Sequence, residues 1–397
     1  MTKLRRTFNI EDLRQAAKRR LPRGIFEYVD RGTEDETGLE ENRAAFERIR
    51  FKPRVLLDMS TRRMETTLFG RQQRLPFVIA PMSPTGFLWY EGELMLARAA
   101  AAAGIPYSFP TYSFTAMEKI AAATPGNLWF QLYMWQDQEH SLALLERAKE
   151  AGSHALIVTV DTSVGPNREF NQRNGMTEPF RPALRPILGM LAHPGWLMRV
   201  LLPYVLAKGA PMLENHPTEH RLGVFRKPPN DGIRISASLN WADIRKLKEF
   251  WKGPLVIKGI LRADDAKRAI DAGADGVVVS NHGARNLDGA IASIDALPEI
   301  ADAVRGRLTL LLDSGIRRGS DVAKALALGA DAVLIGRAAL WGLAVAGQKG
   351  VEHALALLGN ELDITMAFLG CRELAELGPD LLALPARPAL TRSMEPV

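Results

Sequence analysis

Cysteine is almost absent: Cys371 is the single one in 397 residues, which excludes an internal disulfide framework and any cysteine-based metal cluster. The seven histidines form no HExxH pair, so no dedicated metal site is expected. No run of about 18 apolar residues is present to span a bilayer. Met1–Arg20 carries no apolar core of the kind a secretory leader needs. No basic run interleaved with aromatics is found either. Lys and Arg number 51 against 45 Asp and Glu, a net charge of +6. That excess is too diffuse for nucleic acid, yet it suits a small anionic substrate or an anionic membrane surface. The expectation is a cytoplasmic protein, with peripheral contact at the inner face of the cytoplasmic membrane left open.

Hydrophobic residues make up 47% and charged ones 24%, ordinary globular composition. From residue 75 the chain keeps one rhythm of short apolar run, turn and helical pattern. The runs are Leu75–Ala80, Ile105–Phe109, Leu128–Tyr133, Ala155–Val160, Pro254–Lys258, Gly276–Ser280, Leu308–Leu312 and Ala332–Ile335. Each is apolar on both parities, as a strand covered on two faces requires. Eight such repeats close a parallel barrel. A dinucleotide-binding open sheet would show a glycine-rich turn after its first strand, where this chain has Ala80-Pro81-Met82-Ser83. The reading is an α/β fold, a (β/α)8 TIM barrel, as one domain over 1–397. It has a helical N-terminal extension (1–74) and a long insertion after strand 4 (162–240). Residues 181–213 contain no Asp or Glu but carry Arg181, Arg185, Arg199 and Lys208 among apolar residues. Two readings stand side by side, an active-site lid and a membrane contact.

In such barrels reactive groups sit where strands end. His282 follows the sixth strand and Arg285 lies three residues on, so a proton acceptor stands beside a group that grips carboxylates. The alternative is a hydrogen-bonded structural histidine. Asp313, Gly315 and Arg317 follow the seventh strand, and Gly336 and Arg337 the eighth. Glycines beside arginines in these loops suit a phosphate. Lys258 ends an apolar strand and requires an anionic partner or loses its charge; a Schiff-base lysine is the competing functional reading. Gln131 and Tyr133 share one side of the third strand. Asp161, after the fourth, suits a group that orients His282.

Taken together, Trp129-Phe130-Gln131-Leu132-Tyr133, Thr159-Val160-Asp161-Thr162, Val256-Ile257-Lys258-Gly259, Ser280-Asn281-His282-Gly283 and Asp313-Ser314-Gly315-Ile316-Arg317 resemble the FMN-dependent (S)-2-hydroxy acid dehydrogenase/oxidase family. The likeness runs from about Ile10 to Leu382, and its texture is most similar to the mandelate dehydrogenase branch, which is membrane-associated. The resemblance implies FMN as cofactor and His282 as the base, with Asp161 behind it. It implies Arg168 and Arg285 on the substrate carboxylate, and Tyr28 and Tyr133 as hydrogen-bonding partners. Gln131, Thr159, Lys258 and Ser280 would contact the flavin ring. Asp313, Gly315, Arg317, Gly336 and Arg337 would hold ribityl and phosphate. Ala80, Pro81, Met82, Ser83, Thr111, His282, Gly283 and Arg285 complete the implied cofactor shell, and Ser83 and Tyr112 border the substrate. A homotetramer is implied as well, with a quinone, a redox protein or O2 as electron acceptor.

Some positions depart from the family pattern. Ala284 stands where Gly is usual, Ser83 where most members carry Ala or Gly, and Pro110 where a flavin-contacting Ser is common. Two rivals accompany the dehydrogenase reading: a hydroxy acid oxidase that releases peroxide, and a flavin enzyme acting on a peptide-derived cofactor precursor, which Ile316–Gly350 resembles. The latter branch lacks the arginine found here as Arg285.

Overall fold

The computed structural model describes residues 4–176, 184–221, 223–224 and 231–384. Eight parallel strands close a barrel: β1 (Phe77–Ile79), β2 (Tyr107–Pro110), β3 (Leu128–Leu132), β4 (Ala155–Thr159), β5 (Leu255–Ile260), β6 (Gly276–Val279), β7 (Thr309–Leu312) and β8 (Ala332–Ile335). The ring is sealed where β8 meets β1, with Val333 opposite Phe77 and Ile335 opposite Ile79. All eight expected runs are strands of this barrel.

Strand parity divides the core into two layers. Val78, Trp129, Ile157, Val256, Val278, Leu311 and Leu334 fill the barrel interior with Leu68. Their strand neighbours, such as Phe77, Phe130, Val158 and Ile257, pack outward against the helices. Because side chains alternate with a period of two, the residue two places beyond each interior residue also faces the axis. Gln131, Thr159, Lys258, Ser280 and Asp313 therefore stand directly above the apolar plug. The opposite end is stoppered by a hairpin, Thr66–Leu68 with Arg71–Gln73, whose Phe69 meets Trp129 edge to face at 5.4 Å. The open mouth is thus the C-terminal one.

The extension holds three helices, α1 (Ile10–Arg20), α2 (Arg23–Asp30) and α3 (Thr37–Arg48). Asn9 caps α1 through the amide of Asp12 at 2.8 Å, as an N-cap side chain should. The start of α3 is capped from far away. Asp288, on the loop after β6, accepts from the amides of Thr37 (3.1 Å) and Gly38 (2.9 Å) and from the Thr37 hydroxyl (2.9 Å). A carboxylate there also meets the positive end of the helix dipole. The extension is not purely helical, however. It contains the hairpin, and Arg50–Phe51 pairs antiparallel with Leu382–Ala383.

The insertion forms helices Leu184–Leu191 and Leu202–Lys208 around a π-helical turn, Leu197–Leu201. Arg181 lies outside the described residues. Two buried aromatics pin the insertion to the barrel: Trp196 Nε1 donates to the Phe87 carbonyl (2.7 Å), and the Tyr204 hydroxyl accepts from the Glu91 amide (3.0 Å). Leu188, Leu191, Met198 and Leu206 remain exposed on its outer side.

Candidate active site

The barrel mouth opens into a cavity of about 920 Å³. Of the residues singled out from sequence, Tyr28, Ala80, Pro81, Met82, Ser83, Tyr112, Gln131, Tyr133, Thr159, Arg168, Lys258, His282, Gly283, Arg285, Asp313, Gly315, Arg317, Gly336 and Arg337 line it. Asp161, Thr111 and Ser280 stand one layer behind the wall and act through its residues. The Thr111 hydroxyl donates to the Gln131 carbonyl (2.8 Å) and accepts from the Tyr133 amide (2.9 Å), locking the end of β3. Phe87, Phe114 and His216 were not anticipated from sequence and complete the apolar wall. Only the fold brings them to the mouth.

His282 Nδ1 lies 2.8 Å from Asp161 Oδ1, and its Nε2 lies 3.3 Å from the Tyr133 hydroxyl. Burial pushes the imidazole below its ordinary value, an effect that Asp161 opposes and Lys258 reinforces. Burial also works against the charge of Asp161, but His282 holds that carboxyl below its usual range. The pair is thus a neutral imidazole against a carboxylate at physiological pH, with Nδ1–H donated to the acid and Nε2 left as the basic atom. Burial, then Asp161, pushes the Tyr133 phenol up to about 12, so it stays a hydrogen-bond donor.

The loop that presents His282 is unusual. His282, Gly283 and Ala284 have φ of 59°, 67° and 55°, three successive left-handed residues of which only the glycine is at ease. Neighbouring side chains over-determine this conformation. Ser280 Oγ accepts from the His282 amide (3.0 Å), Ser314 Oγ from the Gly283 amide (2.9 Å) and Asn281 Oδ1 from the Ala284 amide (3.2 Å). Asn281 is itself held by Asn42 through reciprocal amide bonds of 3.0 and 2.8 Å. Asn42, Asn281 and Ser314 carry no chemical signature of their own in the sequence.

Lys258 finds the anionic partner its burial requires. Its Nζ lies 3.0 Å from Asp313 Oδ2 and donates to Ser280 Oγ at 2.8 Å. Burial disfavours its charge, but Asp313 and Asp161 outweigh that and hold the ammonium above its ordinary value. A charged lysine is no imine-forming nucleophile, so the Schiff-base alternative is set aside. Gln131 Nε2 donates to Thr159 Oγ1 at 3.0 Å, which presents a polar edge beside Lys258. Ser83 Oγ donates to the Tyr112 carbonyl and ties the loop after β1 to that after β2.

Among the described residues that line this mouth, four arginines are held by backbone carbonyls. Arg285 Nη1 donates to Tyr28 O (2.7 Å) and Arg31 O (3.1 Å). Arg168 Nε donates to Arg285 O (2.9 Å). Arg337 reaches Val29 O (3.0 Å), Gly283 O (2.9 Å) and Arg31 O (3.0 Å). Arg317 donates to Ile316 O (2.8 Å) and stacks over Trp341 at 4.7 Å. Burial, with the mutual repulsion of cations, depresses Arg285 and Arg337 to about 9 and Arg317 to about 10. Carboxylates of the chain (Asp321, Asp30 and Glu36) only partly offset burial at Arg317 and Arg337, so these guanidiniums are suited to a further anion. Arg317 and Arg337, beside Gly315 and Gly336, fit a phosphate. Arg168 and Arg285, facing His282, fit a carboxylate.

A closed parallel barrel with paired glycines and arginines after its last two strands and a histidine–aspartate pair at its mouth is the framework of a phosphate-cofactor enzyme. The pattern of the FMN-dependent dehydrogenase family matches residues 17–384. The chain is 42% identical to an L-lactate oxidase of Nostoc sp. (97% of this chain, 100% of that one). It is 40% identical to an (S)-mandelate dehydrogenase of Pseudomonas putida (94% and 93%). A crystal structure of the monotopic membrane protein (S)-mandelate dehydrogenase superposes with a TM-score of 0.87 at 38% identity, covering 96% of this chain and all of that one. The chain belongs to the FMN-dependent 2-hydroxy acid dehydrogenase/oxidase family.

Proposed function

We propose that the chain oxidises an (S)-2-hydroxy acid with an aromatic or medium-sized side chain to the 2-oxo acid. One observation carries this reading: an imidazole, oriented by Asp161 at 2.8 Å, lines the same cavity as two guanidiniums held by carbonyls. Arg168 and Arg285 take the substrate carboxylate, and Tyr133 donates to a substrate oxygen. His282 Nε2 accepts the substrate's proton, and the resulting imidazolium is stabilised by Asp161. FMN, when bound, supplies the two-electron acceptor. Gln131, Thr159 and Lys258 would face its ring, and Arg317 and Arg337 its phosphate. The side chain of the substrate would lie against Tyr112, Phe87 and Phe114, a wall that favours a ring over a methyl group. Arg285 argues for a carboxylate substrate over a peptide-derived precursor.

Anaerobic mixing with a panel of (S)-2-hydroxy acids tests this. Bleaching of the flavin by aryl members ahead of lactate is the expected result, and a flavin that none of them reduces overturns the reading.

The proposed acceptor is a quinone or a redox protein at a membrane surface. Leu188, Leu191, Met198 and Leu206, the last 77% exposed, form an apolar outer face beside Arg199, and such a face suits peripheral attachment. Among the described residues no helix is long and apolar enough to cross a membrane. Co-sedimentation with anionic vesicles, lost in Leu206→Asp, checks the attachment; rapid peroxide release in air would mark an oxidase instead. The family resemblance implies a homotetramer, and the exposed Val55, Leu56, Ile364 and Phe368 suit burial between copies; analytical ultracentrifugation would measure the assembly.

A further inference from the structure

Resting on that reaction, we infer that Asn286 is a positioning residue that sets the carboxylate clamp relative to the base. It follows Arg285 on the loop after β6, but its side chain turns toward a different neighbour. While Arg285 reaches the carbonyls of the N-terminal extension, Asn286 Nδ2 donates to the Asp161 carbonyl at 2.7 Å and to Thr162 Oγ1 at 2.9 Å. Its Oδ1 accepts from Arg168 Nη2 at 3.3 Å.

The partners decide which way the amide faces, since a carbonyl only accepts and a guanidinium only donates. One planar group therefore touches a substrate-gripping arginine on one side. On the other it touches the backbone of the residue whose carboxylate aims His282. Arg168 belongs to the insertion, and among the described residues its guanidinium is otherwise held by a bond to Arg285 O at 2.9 Å. Asn286 gives this guanidinium a second fixed point and leaves Nη1 for the substrate. A misplacement of about 1 Å between base and substrate costs on the order of 10²-fold in rate, so a side chain that spans both halves of the site has kinetic weight.

The amide is also the right chemistry for this place. A carboxylate at 286 would pair with Arg168, withdraw the charge meant for the substrate, and turn an acceptor toward the Asp161 carbonyl. Aspartate is nearly isosteric with asparagine, so Asn286→Asp separates this role from simple packing. Asn286→Gln keeps the amide with one more methylene.

The experiment measures FMN-loaded wild type, Asn286→Ala, Asn286→Asp and Asn286→Gln in two ways. One is anaerobic flavin reduction by the best 2-hydroxy acid. The other is the dissociation constant of oxalate, a carboxylate probe read from the flavin spectrum without turnover. The Asp variant should bind oxalate at least about 10-fold more weakly and show a raised KM, as expected when one charged hydrogen bond is diverted. The Ala variant should lose about 10- to 100-fold in kcat with FMN retained, and the Gln variant should recover part of both. All variants within two-fold of wild type in both measurements would overturn the role, and so would equal losses in the Asp and Gln variants. Should the Ala variant fail to fold, the Asp and Gln pair decides. A wild type that binds oxalate but is reduced by no hydroxy acid overturns the proposed reaction, while the oxalate arm still judges Asn286.

Discussion

The 2.8 Å contact between His282 Nδ1 and Asp161 Oδ1 leaves the other imidazole nitrogen facing the cavity beside the Tyr133 hydroxyl at 3.3 Å. Burial is the main reason the imidazole titrates below its ordinary value. A base works unprotonated, so kcat/KM should hold on acidification past about 6.5, the ordinary histidine value, and fall only at lower pH. Asp161→Asn removes the group that raises the imidazole. Its acid limb should move lower still, and its plateau should drop by about 10²- to 10⁴-fold. Stopped-flow flavin reduction across pH 4–8 checks both. His282→Ala should keep FMN and lose reduction by several decades; reduction near the parental rate would remove His282 from the chemistry.

Arg285 is held from behind by Tyr28 O and Arg31 O, and Arg285→Lys replaces a planar fork with a point charge. Both KM and kcat should suffer, with kcat/KM down about 10- to 100-fold if about 1.4–2.8 kcal/mol of bidentate binding is lost. Steady-state kinetics decide, and an unchanged kcat/KM contradicts the clamp.

His216 lies buried between Tyr112 and Trp135, with ring centroids at 5.3 and 5.5 Å, and burial pushes it down to about 4. Above pH 6.5 it is neutral folded or unfolded and contributes no pH dependence. As pH falls below 6.5 the unfolded chain takes a proton that the folded one refuses, so stability drops by about 2 kcal/mol by pH 5. His216→Gln removes this titration, and its urea midpoint should decline less than wild type's between pH 7 and pH 5.

Ala284 sits at φ 55° with its side chain buried. Glycine adopts this conformation freely, so Ala284→Gly should relieve strain and stabilise by up to about 1 kcal/mol. A lowered melting temperature would show that the methyl's packing near Gly38 outweighs the strain.

The barrel was legible in the sequence because each strand is an apolar run closed by a loop with its own chemistry. Parity set Gln131 and Tyr133 on one side of the third strand, and Lys258 stood out as a lysine closing an apolar run. His282, Asp161 and the arginines stand out in the sequence by residue type and place, and the structure brings them together at the mouth. Asn281 and Ser314 lie within the quoted motifs, but their roles were not legible, because Asn281 and Ser314 hold the backbone of the His282 loop and Asn42 holds the Asn281 side chain, purely tertiary tasks. Thr111 and Ser280 do not line the cavity themselves but bond to Gln131, Tyr133, Lys258 and His282, which do. The short strands of the extension were missed because Arg50–Phe51 acquires strand geometry only through Leu382–Ala383, more than three hundred residues away.

Apart from that of Gly283, the carbonyls that steady Arg285 and Arg337 come from Tyr28, Val29 and Arg31, at the end of α2 and just beyond it. Neither arginine is fully steadied until the segment around α2 has docked on the loops after β6 and β8, so uptake of flavin by a refolding chain would report that docking.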